Sequence, residues 1–295
     1  MQGLLLINKP KDITSFKAVA MVRRATNTKK VGHTGTLDPI ATGVLPVLIG
    51  RATSLTPYLL NADKRYIATV KTGITTDTLD TTGNVLSECT PSFSREDLLC
   101  AIDKFTGKQL QIPPAFSAIK KDGVPLYKLA RAGKEVEVQA REITIYSIKL
   151  LEFNDDLSFK IEVHCSKGTY IRSLCRDIGE FLSCGAAMSG LVRTATGPFN
   201  LSECVDIEAV NGENIENCLL SEELAVAHLP CIYVTKKQAV RFSNGGKLSF
   251  ERLSGDIIAD SFYRVKSNDT FIGIGYADDI NKEIQIKCLI NPILK

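Results

Sequence analysis

The sequence predicts interleaved strands and helices closed by a small β-rich domain, on three observations. Short apolar runs of strand length, LLLI at 4–7 and VLPVLI at 44–49, end at Lys9-Pro10 and at Gly50. Apolar residues recur at helical spacing after capping residues, behind Ser15, behind Ser94 and from Tyr170 onward. From Ile232 to Ile290 the pattern changes to several short β-rich runs, with a turn at Asn244-Gly245-Gly246 between the first of them.

Taken in order, 4–7 reads as a buried strand, and Ser15 is expected to cap a helix whose face carries Ala18, Val19, Met21 and Val22. Five basic residues fall from Lys17 to Lys30, and from Lys17 on no acidic one appears until Asp38. That is either a solvated helix face or a polyanion track leading into the next loop. Residues 64–71 alternate like a strand, and Tyr66 by pattern alone is a half-buried strand aromatic. The turn-rich 72–85 carries Asp77 and Asp80, but their spacing fits no calcium loop. Residues 94–107 read as an amphipathic helix with Asp97 in its first turn. Residues 117–141 set Lys120, Lys121, Lys128, Arg131, Lys134 and Arg141 around Tyr127, a composition suited to phosphate contact and base stacking. Strands at 143–151 and 157–164 are expected to pair across 154–156. His164 and Cys165 follow each other on a strand, so they face opposite ways and make no catalytic dyad. The helix from Tyr170 begins with Arg172, an unfavourable charge at a helix N-terminus unless something else holds it. The acidic stretch 203–229 is expected to be helical, and the β-rich domain to start near Cys231, dividing the chain at 1–230 and 231–295.

The stretch with the greatest chemical content is 31–50, VGHTGTLDPIATGVLPVLIG, which contains no Lys, Arg or Glu. Its Gly/Thr alternation suits a tight loop, and its second half is a buried run. Asp38, its one carboxylate, therefore sits on a loop anchored to the core, with Pro39 restricting its backbone. Spacing alone leaves Asp38 open between a turn residue and a reactive group.

Composition narrows the partners. A net charge of +3 is too mild to point to any one class of them. No apolar run approaches the ~18 residues of a membrane span, and the N-terminus lacks the pattern of a signal peptide. Nine scattered cysteines without a C-x-x-C pair argue for reduced thiols in a cytoplasm, and against a disulfide framework or structural zinc. No cofactor or metal motif is found.

GHTGTLDPIATGVLPVLIG resembles the segment around the catalytic aspartate of the TruB family of tRNA pseudouridine synthases. LLLINKPKDITSF, KRYIATVKTGITTDTLDTTGNV, KGTYIR and SGLVRTATGPFNLS resemble further family segments, in the family's order and without departure at the motif positions. The resemblance implies an α+β fold, the pseudouridine synthase fold, with a mixed, mainly antiparallel central sheet. It likens the C-terminal domain loosely to the family's small RNA-binding (PUA-like) domain. Residues 117–141 resemble the insertion with which stand-alone bacterial members grip the T arm of tRNA.

What the resemblance implies for chemistry is isomerisation of a uridine, at position 55 of the T loop, after it is flipped out. Asp38 is then the nucleophile or base, Arg172 its partner, and Tyr66 a ring on the uracil and a proton acceptor at the sugar. Tyr170 and Leu191 complete the pocket wall, and His33 positions the flipped nucleotide. Lys9, Lys120 and Arg131 join the substrate contacts. No cofactor, metal, membrane or protein partner is expected, and the chain is expected to be a cytoplasmic monomer. A silent RNA-binding protein and a single-carboxylate nucleosidase are the rival readings. The intact Asp38, Tyr66 and Arg172 oppose the first, and the lack of a second carboxylate or a metal opposes the other.

Overall fold

The computed structural model describes residues 1–117, 119–121, 123–132 and 138–293, without the side chains of Lys120, Lys121 and Arg131. Lys134 lies outside the described residues.

The strands of the larger sheet are β1 (Gly3–Lys9), β2 (Val31–His33), β3 (Ala41–Ile49), β4 (Lys64–Thr72), β5 (Gly107–Gln111), β6 (Arg141–Phe153), β7 (Phe159–Cys165), β8 (Ala186–Thr196) and β9 (Val205–Asp206). Together with Phe199–Asn200 they form a ten-stranded sheet in the order β9-β1-β3-β8-β4-β7-β6-β5, with β2 paired to β3. The β1/β9 and β3/β8 pairs are parallel and the other pairs antiparallel, as the expected mixed, mainly antiparallel sheet requires. A second sheet runs β10-β12-β13-β14-β11, from β10 (Cys231–Tyr233), β11 (Leu248–Ser249), β12 (Phe262–Ser267), β13 (Thr270–Asp278) and β14 (Glu283–Leu289).

The helices that position the site are α1 (Ser15–Thr26), α2 (Arg95–Lys104), α3 (Leu126–Arg131) and α4 (Ile171–Phe181). Leu98 of α2 and Leu174 and Ile178 of α4 meet Val70, Ile161 and Val163 of the sheet in one core, which Val19 and Val22 of α1 join. On the opposite face of β1 and β3, Leu4, Leu6, Val44 and Leu48 pack with Phe271 and Ile274 of the C-terminal sheet and with Ile290 just after it. β1 is thus apolar on both sides, which explains a continuous run where a half-exposed strand would alternate.

Two local expectations are corrected. The cap of α1 is Thr14, whose side chain accepts from the Lys17 N–H, and not Ser15. The Ser15 hydroxyl instead accepts from the Leu37 N–H at 2.8 Å and donates to its carbonyl at 3.1 Å, so α1 clamps the loop before Asp38. The stretch 203–229 contains 3₁₀ turns and one four-residue helix, Ile215–Cys218, in place of a long helix. There Asn211 accepts from the Glu213 N–H and Asn214 from the Asn211 N–H, local bonds that compete with a helix.

β3 and β8 approach closely at one glycine. Gly43 has φ +106°, and a Cβ there would lie 2.2 Å from the Arg193 carbonyl oxygen. Gly43→Ala is therefore expected to lose at least about 2 kcal/mol through strain and overpacking, read as a Tm lower by at least about 4 °C. An unchanged Tm would mean the two strands can separate freely.

Candidate active site

The loop between β2 and β3 carries Asp38 and is braced from beneath. Besides the Ser15 clamp, the Asp12 N–H donates to the Pro39 carbonyl at 2.8 Å, and Asp38's own carbonyl accepts from Ala41 at 3.0 Å. Lys9 was expected at the substrate. It is fully buried, its ammonium donating to the carbonyls of Pro10 and Ile13, both at 2.8 Å, and of Pro39 at 3.4 Å. It braces the loop from behind, and burial lowers its pKa to about 8. His33 is half-buried, and its Nδ1 accepts from the Gly35 N–H at 3.2 Å, closing the turn. Burial, then the Arg193 charge, lowers its pKa.

Above this base the Asp38 carboxylate meets Arg172 side-on. Nε of Arg172 lies 2.9 Å from Oδ2, and Nη2 donates to Oδ1 at 3.1 Å. The other guanidinium nitrogens also bond within the site: Nη1 donates to the Thr78 carbonyl at 2.9 Å and Nη2 to that of Phe116 at 3.0 Å. These contacts account for an arginine in the first turn of α4. Gln111 of β5 replaces a side-chain cap there, accepting from the Tyr170 N–H at 2.8 Å and donating to its carbonyl at 3.1 Å. Asp80 approaches Arg172 Nη1 at 3.8 Å, its Oδ1 taken by Thr78, Thr82 and the Thr82 N–H. Asp77 is spent on Asn84, and among the described residues no three His, Cys, Asp or Glu side chains are placed to hold a metal.

Burial pushes the Asp38 carboxyl above the ordinary carboxylate range, and Arg172 pulls against that shift. A third of the Asp38 side chain remains exposed, into a cleft of about 510 Å³. Tyr66, Phe116, Tyr170 and Leu191 form its walls, and Tyr127 reaches it from the insertion. Tyr66 and Leu191 come from neighbouring strands, β4 and β8, with Leu191 set between Ala41 and Ala68 in the ladder. Of the expected residues, Asp38, Tyr66, Tyr170, Arg172 and Leu191 converge, while Lys9 and His33 do not line the cleft. Lys120 lies on a two-residue strand and Arg131 at the end of α3, with side chains outside the described residues.

Sequence reading missed Lys64 and Arg193, both buried cleft residues. The Lys64 ammonium donates to the carbonyls of Leu60 and Ala62, and burial lowers its pKa to about 8. Arg193 donates from Nε to the Val44 carbonyl at 2.7 Å and from Nη2 to that of Gly35 at 3.1 Å. A signal was present: Arg193 stands two residues after Leu191 on a strand, hence on its face. His164 and Cys165 diverge as expected, His164 to Asp63 at 3.8 Å and Cys165 to the buried Lys64 carbonyl.

The model of the TruB family pseudouridylate synthase N-terminal domain matches residues 23–171. That of the tRNA pseudouridylate synthase B C-terminal domain matches 172–230. The chain belongs to the TruB family. It is accordingly a pseudouridylate synthase, an enzyme that isomerises uridine in RNA. Proteins named tRNA pseudouridine synthase B resemble it along most of their length. That of Chromobacterium violaceum is 43% identical over 99% of this chain and 95% of its own, and that of Clostridium tetani 44% over 93% and 95%. That of Francisella tularensis is 49% identical over 80% of this chain and 77% of its own. Among solved structures, a chain of a Cbf5–Nop10–Gar1 complex matches with TM-score 0.76 at 24% identity, covering 99% of this TruB chain and 87% of that one. A chain of an H/ACA RNP bound to a substrate RNA containing 2′-deoxyuridine matches with TM-score 0.74 at 22% identity, covering 98% and 85%. Both likenesses are of fold. No helix among the described residues of this TruB protein is long and apolar enough to cross a membrane.

Proposed function

We propose that the chain isomerises uridine 55 in the T loop of tRNA, with Asp38 as nucleophile or base and without a cofactor. The observation that carries this reading is the Asp38–Arg172 pair, set side-on at the base of a cleft walled by aromatic rings. Arg172 keeps the carboxylate charged and aimed, and the rings limit water beside a detached uracil. The uridine must leave its folded loop to reach this depth, so it is read flipped out. Asp38 attacks sugar or base, or assists a glycal route. Tyr66 covers the uracil and accepts a proton at the sugar, and Tyr170 and Leu191 close the wall. The enzyme is read as a cytoplasmic monomer that needs no protein partner, with 1–230 catalytic and 231–295 an appended RNA-binding domain.

The test is a purified-protein incubation with an unmodified tRNA transcript, followed by pseudouridine mapping. Pseudouridine at the T-loop position alone is expected, and its absence there overturns the reading.

The insertion is read as the grip on the T arm. The short hairpin Lys120–Lys121/Val124–Pro125 leads into α3, where Lys128 is exposed. Lys121→Glu with Lys128→Glu is expected to weaken tRNA binding and lower the salt slope by about 1 per lost phosphate contact, with Tm unchanged. An unaltered slope would remove the insertion from the phosphate contacts.

A further inference from the structure

We propose that Arg193 is a positioning residue for the isomerisation: it ties the strand beside Tyr66 to the Asp38 loop and supplies the positive charge that favours the Tyr66 phenolate, the form that can take a proton. The inference rests on the proposed roles of Tyr66 and Asp38.

Three observations carry it. Arg193 and Tyr66 are direct partners in the β8/β4 ladder, and both line the cleft. The Arg193 guanidinium joins two elements of the site, Nε bonding to Val44 of β3 and Nη2 to Gly35 of the loop leading to Asp38, and its charge acts on the Tyr66 phenol of the neighbouring strand. Finally, Arg193 is 1% exposed, and among the described residues it makes no ion pair. An arginine kept at such depth on carbonyl bonds alone carries a large desolvation penalty, which a purely apolar wall would avoid. Its backbone cannot slide away, because β3 passes against it at Gly43.

The charge acts on a defined set of groups. Tyr66 is faced by Arg193 from β8, by Cys165 from β7 and by Asp38 from its loop, with Lys64 two residues before it on β4. Burial, Cys165 and Asp38 all favour the neutral phenol, and Arg193 opposes them. In the proton step the phenolate takes the hydrogen from sugar C2′. The C–H electron pair becomes the C1′=C2′ bond, and the C1′–N1 pair leaves on the uracil. The phenol returns the proton to C2′ when C1′ joins C5, and N1 gains a proton as C5 loses one.

The test measures single-turnover tritium release from C5-labelled tRNA against pH, for the parent, Arg193→Met, Arg193→Lys, Tyr66→Phe and the Arg193→Met/Tyr66→Phe pair, with tRNA binding measured beside it. Arg193→Met is expected to lose about 100-fold or more near neutral pH, to bind tRNA within a few-fold of the parent, and to recover toward alkaline pH as more phenolate forms. Arg193→Lys, which keeps the charge, should lose less and retain the parent's profile. The double variant should be no slower than Tyr66→Phe, because both changes remove one function. Losses that multiply, with an unshifted pH profile in Arg193→Met, would reduce Arg193 to a staple of the fold. Should Arg193→Met not fold, Arg193→Lys, alone and combined with Tyr66→Phe, decides: losses that multiply in that pair overturn the proposal equally. A parent that turns over no tRNA would overturn the proposed function itself.

Discussion

Asp38→Asn is expected to bind tRNA within a few-fold of the parent and to release essentially no tritium from C5 of the T-loop uridine, a loss of at least about 10³-fold. Asn matches Asp in shape, so the loop held by Ser15, Lys9 and Asp12 should keep its form. Its amide accepts hydrogen bonds, yet it is a poor nucleophile and a poor base. The same carboxylate predicts the acid limb of the parent's pH profile. Asp38 must be ionised to act, so the rate rises as pH rises through its pKa. Burial has moved that pKa upward, so the limb should lie above the range of a solvated aspartate. Single-turnover rates across acid pH measure it. Comparable tritium release by Asp38→Asn would mean the catalytic group is elsewhere.

Arg172→Met should be nearly as damaging, by a different route. The substitution keeps much of the stem volume but removes the charge opposite Asp38 and the donors to the Thr78 and Phe116 carbonyls. Each orphaned carbonyl costs about 1–3 kcal/mol, so Tm should fall by several degrees. With its partner gone, only burial, the Asp80 charge and the weaker pull of Lys9 act on Asp38, and its pKa moves further up. Turnover at neutral pH should collapse, and the acid limb should shift to higher pH. A variant that is less stable yet fully active, with an unmoved limb, would leave Arg172 a structural role only.

The sequence by itself determined what depends on neighbours along the chain. Strand runs, the Ser94–Asp97 capping box and the β6/β7 hairpin follow from spacing and local hydrogen bonding, so they could be read residue by residue. The aspartate loop was legible too, since Gly, Thr and Pro restrict the backbone locally. Tertiary structure decided what depends on strand order. β8 enters between β3 and β4, and that insertion brings Leu191 and Arg193 to Tyr66 and the Asp38 loop. No local rule places it there, because burial over the whole sheet selects the order. Charged residues show the same division. Lys9 was placed among the substrate contacts by the resemblance, yet the carbonyls of Pro10, Ile13 and Pro39 hold its buried ammonium. The acidic stretch 203–229 read as helix on composition, but asparagine side chains there satisfy the backbone, and Val205–Asp206 joins β1 as an edge strand. Propensity sums over neighbours, whereas the site is assembled from groups that meet only when the core closes.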